Sequence, residues 1–144
     1  MSQDIVLISM ENLSNPDIEA WLLPRYRLGH GVLINRVAVL YVHDHDEEDR
    51  QFSYVRISEL IPSHEVADDY KDHDILDVKL KMRLETCRYY HVTFNNYEFY
   101  EKIMATILTG MGDDIDSCWI DDSYGRLVPG KDVLAKLNGR VDAQ

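Results

Sequence analysis

The fold is indicated most clearly by residues 89–112, YYHVTFNNYEFYEKIMATILTGMG. Tyr90, Val92 and Phe94 share one side of an extended segment, as in a β-strand with a buried face. The residues that follow predict an α-helix, because their apolar side chains recur at helical period. This stripe consists of Phe99, Tyr100, Ile103, Met104, Ile107 and Leu108. A strand followed by an amphipathic helix that can pack on it indicates mixed α and β structure.

Local signals set the limits of this helix. Asn95 and Glu98 have the spacing of a capping box, which predicts that the helix begins after Asn95. Gly110 and Gly112 are suitable helix ends. Further strands are predicted at residues 5–8, 32–42, 51–57, 75–84, 117–120 and 127–128. The 32–42 segment is too long for one flat strand, so residues 35–36 are expected to form a bend or a hairpin.

Two more helices complete the expected domain. One runs through residues 18–22 after a cap at Ser14 or Asn15, and the other spans residues 131–137. Residues 29–31, with two glycines, are interpreted as a turn, and residues 138–139 as the end of the last helix. We therefore expect a single α+β domain over residues 1–144. It has a largely antiparallel sheet with two or three helices packed mainly on one face.

The chain is strongly acidic, with 26 acids, 15 bases and a formal net charge of −11. Binding of nucleic-acid phosphates needs clustered Lys and Arg, so direct nucleic-acid binding is not expected, and neither is binding to anionic membranes. A positively charged protein partner is favoured instead. The charge is concentrated, because residues 43–77 hold twelve acids and three bases, a net charge of −9. Such a concentration weakens the fold unless a cationic partner offsets it.

The sequence favours the cytoplasm. The apolar run at residues 5–8 lacks the basic and small-residue flanks of a signal peptide, and no run is long enough to span a bilayer. Cys87 and Cys118 match no metal or redox spacing, so we interpret them as buried free thiols in a reducing compartment.

Residues 43–49, HDHDEED, are the first place to consider chemistry. His43, His45 and the nearby carboxylates could form a metal-dependent enzyme site, since such ligands suit zinc or iron. The run departs from the His-x-His-x-Asp-His metal signature, however, because Glu47 and Glu48 occupy the last two positions. No nucleophile elbow, phosphate-binding glycine loop or His-Glu-x-x-His motif is present. We therefore expect no catalytic residue, no metal and no cofactor.

The clustered acids favour a partner-binding surface, with nearby tyrosines as contact anchors. The candidate partner-binding residues are Asp44, Asp46, Glu47, Glu48, Asp49, Tyr54, Asp68, Asp69, Tyr70, Asp72, Asp74 and Tyr124.

The C-terminal part adds a resemblance. Residues 118–129, CWIDDSYGRLVP, followed by the helical segment at residues 134–137, resemble a pattern in small bacterial immunity proteins of polymorphic and contact-dependent toxin systems. The resemblance implies an acidic, cytosolic α+β inhibitor that neutralises a cognate toxin, often a basic nuclease, by binding it. An acidic surface would equally suit a DNA mimic that blocks a defence enzyme, and this alternative stays open.

Overall fold

The computed structural model of the chain describes residues 3–11, 13–33, 37–44, 53–72, 75, 77–122 and 126–142. Its centre is a seven-stranded sheet in which all neighbouring strands are antiparallel. The strands are β1 Gln3–Ser9, β2 Tyr26–Val32, β3 Ala38–Asp44, β4 Tyr54–Glu59, β5 Arg88–Phe94, β6 Cys118–Asp121 and β7 Leu127–Pro129. Their order across the sheet is β2-β3-β4-β5-β1-β6-β7. The expected antiparallel α+β fold is confirmed.

Five helices of the described ranges cover both faces of the sheet, whereas the sequence predicts two or three, mainly on one face. They are α1 Asn15–Leu22, α2 Ser63–Asp68, α3 Val78–Met82, α4 Tyr97–Met111 and α5 Gly130–Asp142. On the first face, the long helix α4 contacts both α1 and α5. On the second face, α2, α3 and a short 3-10 helix at Leu84–Thr86 cover part of the sheet. Among the helices of the described ranges, none combines the length and apolar character that a bilayer crossing needs.

The first face holds the main core. The predicted stripe of α4 is confirmed, since all six of its side chains are buried, together with Met111. They pack on strand residues such as Leu7, Val92 and Ile120. Burial of each large aliphatic side chain contributes about 1.5–3 kcal/mol, so this layer dominates the stability of the fold.

The limits of α4 differ slightly from the prediction. Asn96, not Asn95, is the cap, because its side-chain oxygen accepts a hydrogen bond from the Phe99 backbone N–H at 3.1 Å. The Asn95 side chain instead accepts a hydrogen bond from the Tyr54 backbone N–H at 2.9 Å and ties α4 to β4. The helix ends at Gly112, whose positive φ of 59° suits glycine. Gly110 lies inside the helix against Trp21, where an added Cβ would lie 2.4 Å from the indole ring.

The strand predicted at residues 75–84 is wrong, because its core is the helix α3. The Asp77 side chain accepts a hydrogen bond from the Leu80 backbone N–H at 3.0 Å and caps the helix. Leu80 and Leu84 are buried while Met82 is 80% exposed. Buried positions therefore recur every four residues, as in a helix, although apolar residues occupy every second position of the sequence.

The turn predicted at residues 29–31 is also wrong, because these residues lie inside β2. Gly31 lies close to the neighbouring strand, since an added Cβ would be 2.8 Å from the Tyr41 ring, whereas one on Gly29 would make an ordinary contact at 3.7 Å. Of the two alternatives for residues 32–42, the hairpin is confirmed by the pairing of Val32 with Ala38, while residues 34–36 lie outside the described ranges. The last helix, α5, does not stop at Asn138 but continues to Asp142.

Candidate functional site

A cleft of about 910 Å³ opens on the first face, between α4 and α5 and above β1, β6 and β7. Its volume lies within the usual range of binding pockets, which is about 300–1,000 Å³. Its floor and walls are mainly apolar. These apolar side chains are Ile5, Phe94, Ile120, Val128, Val133 and Leu137. The cleft can therefore bury an apolar part of a bound molecule.

Three aromatic rings line one side of the cleft. Phe94 ends β5 and stacks on Tyr100, with ring centroids 4.2 Å apart and ring planes 14° apart. Tyr97 lies one helical turn before Tyr100, at a centroid distance of 5.7 Å, and is 52% exposed. The capped start of α4 places these rings together, because side chains three residues apart share a face of a helix. Tyr97 thus presents an aromatic surface to solvent.

The rim of the cleft is charged. It carries four carboxylates, from Asp4, Glu101, Asp122 and Asp132, and two cations, from Arg126 and Lys136. The Arg126 guanidinium lies 3.3 Å from the Asp122 carboxylate, and the Arg126 side chain is 77% exposed. Asp4 is close to His91, at 2.9 Å. Within the described ranges, Asp132 makes no ion pair. The rim has an excess of negative charge, in keeping with the whole chain.

The Tyr100 hydroxyl lacks a hydrogen-bond partner among the described residues, although the residue is only 6% exposed. Burial raises the pKa of this hydroxyl well above its usual range, and Tyr97, Glu101 and Asp122 add to the effect. Tyr100 therefore stays neutral at physiological pH and can both donate and accept a hydrogen bond in the cleft.

The sequence-predicted anchor Tyr70 has a different position. Its side chain is 5% exposed, stacks on Tyr89 at 5.7 Å and donates a hydrogen bond to Asp121 at 2.7 Å. Tyr70 is therefore a core residue of the second face and presents no contact surface. Tyr54, at the start of β4, is partly buried, and Tyr124 lies outside the described residues.

Along the chain, the two acidic runs lie on either side of β4. The 43–49 run begins where β3 ends, whereas the 68–74 run begins at the end of helix α2. The side chains of Asp44, Asp46, Glu47, Glu48, Asp49 and Asp74 lie outside the described part. The described part therefore includes charged side chains of the second run only.

The described part of the second run is exposed and partly paired. Lys71 lies 2.8 Å from the Asp68 carboxylate and 3.1 Å from that of Glu85. The hydrogen bond from Lys71 lowers the pKa of Asp68. Asp69 and Asp72 are exposed. Part of the negative charge of this run is thus balanced within the chain.

The histidines and cysteines singled out by the sequence lie only partly within the described residues. His43 is partly buried on β3, while His45 lies outside the described residues. No three His, Cys, Asp or Glu side chains of the described residues form a group that could hold a metal ion. Burial raises the pKa of Cys87 to about 11 and that of Cys118 to about 12, so both thiols stay protonated.

The chain matches no protein-family model, no curated protein and no solved structure. The candidate site is consequently defined by its own geometry.

The sequence prediction missed the cleft, because its residues come from distant parts of the chain. One signal was present, because the sequence analysis singled out residues 118–129. This stretch contributes Ile120, Asp122, Arg126 and Val128 to the lining of the cleft. The spacing of Asp132, Val133, Lys136 and Leu137 also fits a single helix face turned to the cleft.

Proposed function

We propose that this chain is an immunity-type protein inhibitor, which acts in the cytoplasm by binding a basic toxin rather than by catalysis. The cleft between α4 and α5 carries this proposal, because it combines an apolar floor, an exposed tyrosine and an acidic rim. Protein interfaces are typically centred on aromatic anchors in partly desolvated pockets. A basic segment of the toxin would place its apolar parts on the floor and its charges at the rim.

The charge of the whole chain supports the same partner. A net charge of −11 attracts a basic protein over long distances and accelerates association at low ionic strength. The exposed carboxylates of the 68–74 run would contribute to this attraction without contacting the partner. The cleft would then provide the short-range contacts. This division assigns the acidic runs to the rate of association and the cleft to the lifetime of the complex.

The resemblance to immunity proteins gives further support. Its residues form β6, β7 and one side of the cleft, so the part of the sequence that suggests the function also contributes to the candidate site.

The proposal is tested with the protein encoded by the open reading frame directly upstream. We expect the purified chain to bind this protein and to restore growth of cells that express it. Tyr97→Ala should weaken binding by about 2 kcal/mol or more, as expected for an interface anchor. Binding is measured by calorimetry. A chain that neither binds nor protects would refute the proposed function.

Two matched variants separate the cleft from the acidic surface predicted by the sequence. Tyr54→Ala makes the same truncation outside the cleft and should leave affinity nearly unchanged. Asp132→Asn and Asp113→Asn remove the same charge, one at the rim and one in the exposed segment after α4. A larger loss of affinity for Asp132→Asn than for Asp113→Asn supports partner binding at the cleft. Equal losses would indicate an effect of net charge alone.

A further inference from the structure

We propose that the cleft accepts an arginine side chain of the partner, with the guanidinium at the rim beside Tyr97 and the Asp122 carboxylate and the aliphatic stem on the apolar floor. This inference rests on the proposed function, since it names the chemistry by which a basic protein partner would be held there.

The chain itself shows that a guanidinium fits the rim. Arg126 already places its guanidinium 3.3 Å from the Asp122 carboxylate. Because the Arg126 side chain is 77% exposed, this ion pair contributes little to stability, and another guanidinium can replace that of Arg126 beside Asp122. An incoming arginine would bind the same carboxylate from inside the cleft, where more apolar surface surrounds it. Arg126 therefore shows that a guanidinium can contact Asp122, and it would compete with the partner's arginine for this carboxylate.

The aromatic side of the cleft suits a planar cation. Tyr97 is 52% exposed and offers a ring on which a guanidinium can stack. The neighbouring Tyr100 hydroxyl has no partner within the described ranges and can accept a hydrogen bond from a guanidinium N–H. A guanidinium has five N–H donors in one plane, so it can contact the carboxylate and the hydroxyl together. A lysine ammonium is compact and matches this arrangement less well.

The apolar floor fits the rest of the side chain. Arginine buries its methylene groups on apolar surface while its charged end stays near water. Ile120 and Val128 on the sheet and Leu137 on α5 provide such a surface directly beside the charged rim. A neutral ligand would gain from the floor but not from the carboxylates, and an acidic ligand would meet the excess negative charge of the rim.

The test uses three short peptides that differ at one position: acetyl-Gly-Arg-Gly-amide and its lysine and citrulline counterparts. Citrulline keeps the shape of arginine but is neutral. Amide chemical shifts of the ¹⁵N-labelled chain are followed by NMR during titration. We expect the arginine peptide to shift the signals of residues 97–101 and 126–132, the lysine peptide to bind more weakly and the citrulline peptide to cause no comparable shifts. Equal effects of arginine and citrulline would overturn the proposal, as would shifts confined to other surfaces.

Variants of the chain test the individual contacts of the bound arginine. Arg126→Gln removes the competitor and should tighten arginine-peptide binding about 1.5- to 5-fold, the equivalent of one exposed ion pair. Arg56→Gln is the matched control, because it makes the same charge change at an exposed position on β4, on the second face. The same tightening in both variants would show a net-charge effect and would overturn the proposal. Tyr97→Leu should weaken binding about two- to fivefold, the equivalent of one exposed cation–π contact.

The outcome for the proposed function is read separately. If the arginine peptide fails to bind but the chain still neutralises the upstream toxin, the arginine inference is wrong and the proposed function remains supported. If the peptide binds at the cleft but the chain neither binds the toxin nor protects against it, the proposed function is wrong. The cleft then binds an arginine of a different protein partner.

Discussion

The two faces of the sheet carry large apolar and aromatic side chains, but they are covered in different ways. On the first face, α4 alone buries seven side chains in a continuous core. On the second face, short helices cover a smaller cluster, where the Tyr70 and Tyr89 hydroxyls donate hydrogen bonds to Asp121 and to the Leu84 carbonyl. Apolar packing therefore dominates the larger first layer, where the Tyr90 hydroxyl donates one comparable hydrogen bond to the Leu13 carbonyl, while two such bonds help to hold the smaller second cluster.

This difference bears on where a binding site can be rigid. The apolar floor of the cleft belongs to the packed first layer, so the floor side chains lose little freedom when a partner binds, whereas Tyr97 and Arg126 at the rim are exposed. The 68–74 run belongs to the second layer, where its described charged side chains are exposed. The described charges of the 68–74 run therefore lie on the second layer, and the candidate site lies in the first.

The largest expected effect is the loss of a side chain from the first layer. Met104 is fully buried in α4, so Met104→Ala should lower the free energy of unfolding by about 2–5 kcal/mol. Met82→Ala is the matched change in the second layer, where Met82 is 80% exposed, and should change it by no more than about 0.5 kcal/mol. Urea denaturation measures both. Similar losses would contradict the contrast between the layers.

The next effect concerns the close approach of α1 and α4. Gly110→Ala would place a Cβ 2.4 Å from the Trp21 ring, and we expect a loss of about 1–3 kcal/mol from the resulting displacement. Gly139→Ala, in α5, meets no atom within 4 Å and should stabilise the chain by about 0.5–1 kcal/mol through helix propensity. Thermal unfolding compares the two. Stabilisation by both alanines would show that the Trp21 contact is loose.

A smaller effect is expected from Tyr70→Phe in the second layer. The variant loses the hydrogen bond to Asp121 and should be less stable by about 0.5–1.5 kcal/mol at pH 7. Tyr97→Phe, which removes a hydroxyl from an exposed ring, serves as the control and should have almost no effect on stability. If the two variants are equally stable, the Tyr70 hydroxyl does not help to hold this layer.

The pH dependence of the Tyr70 variant gives an independent check. Burial, followed by the bond to Asp121, raises the pKa of Tyr70 in the folded chain. The folded state therefore favours the protonated hydroxyl, so this contribution is fully present below the unfolded pKa of about 10 and is lost as the pH rises above it. Denaturation between pH 8 and 11 should show a shallower decline for Tyr70→Phe than for the unmodified chain. If stability declines with pH equally in both chains, the raised pKa of Tyr70 is contradicted.

The smallest effect is expected from Lys71→Gln. Lys71 pairs with Asp68 and Glu85, but all three groups are exposed, and solvent screens such pairs. We expect an unchanged denaturation midpoint, measured at both low and high salt. A loss as large as that of Tyr70→Phe would mean that ion pairs, rather than buried tyrosines, hold the second layer.

The fold was largely predictable where burial follows the sequence period. The strand and helix within residues 89–112 were recognised because packing on one face selects the same apolar positions that the period shows. The prediction failed at α3, where Asp77 caps a helix that buries only Leu80 and Leu84. It failed again at β2, because Gly31 packs against the Tyr41 ring on the neighbouring strand, and a contact between strands leaves no local signal.

The candidate site was harder to predict for a similar reason. A run of charged residues is visible in the sequence, whereas the cleft is assembled from Ile5, Tyr97, Asp122 and Asp132, which lie on four different segments. The helical pattern of α4 predicts that Tyr100 lies in the core, and it contains no signal that marks Tyr97 as a contact residue. The cleft between α4 and α5 exists only after folding.

The contact between Gly110 and Trp21 also has an evolutionary consequence. The indole ring occupies the space that any side chain at position 110 would need. A related chain with a larger residue at position 110 should therefore carry a smaller one at position 21, so that the two positions change together. Such paired substitutions would identify chains that share the α1–α4 packing even where little other sequence similarity remains.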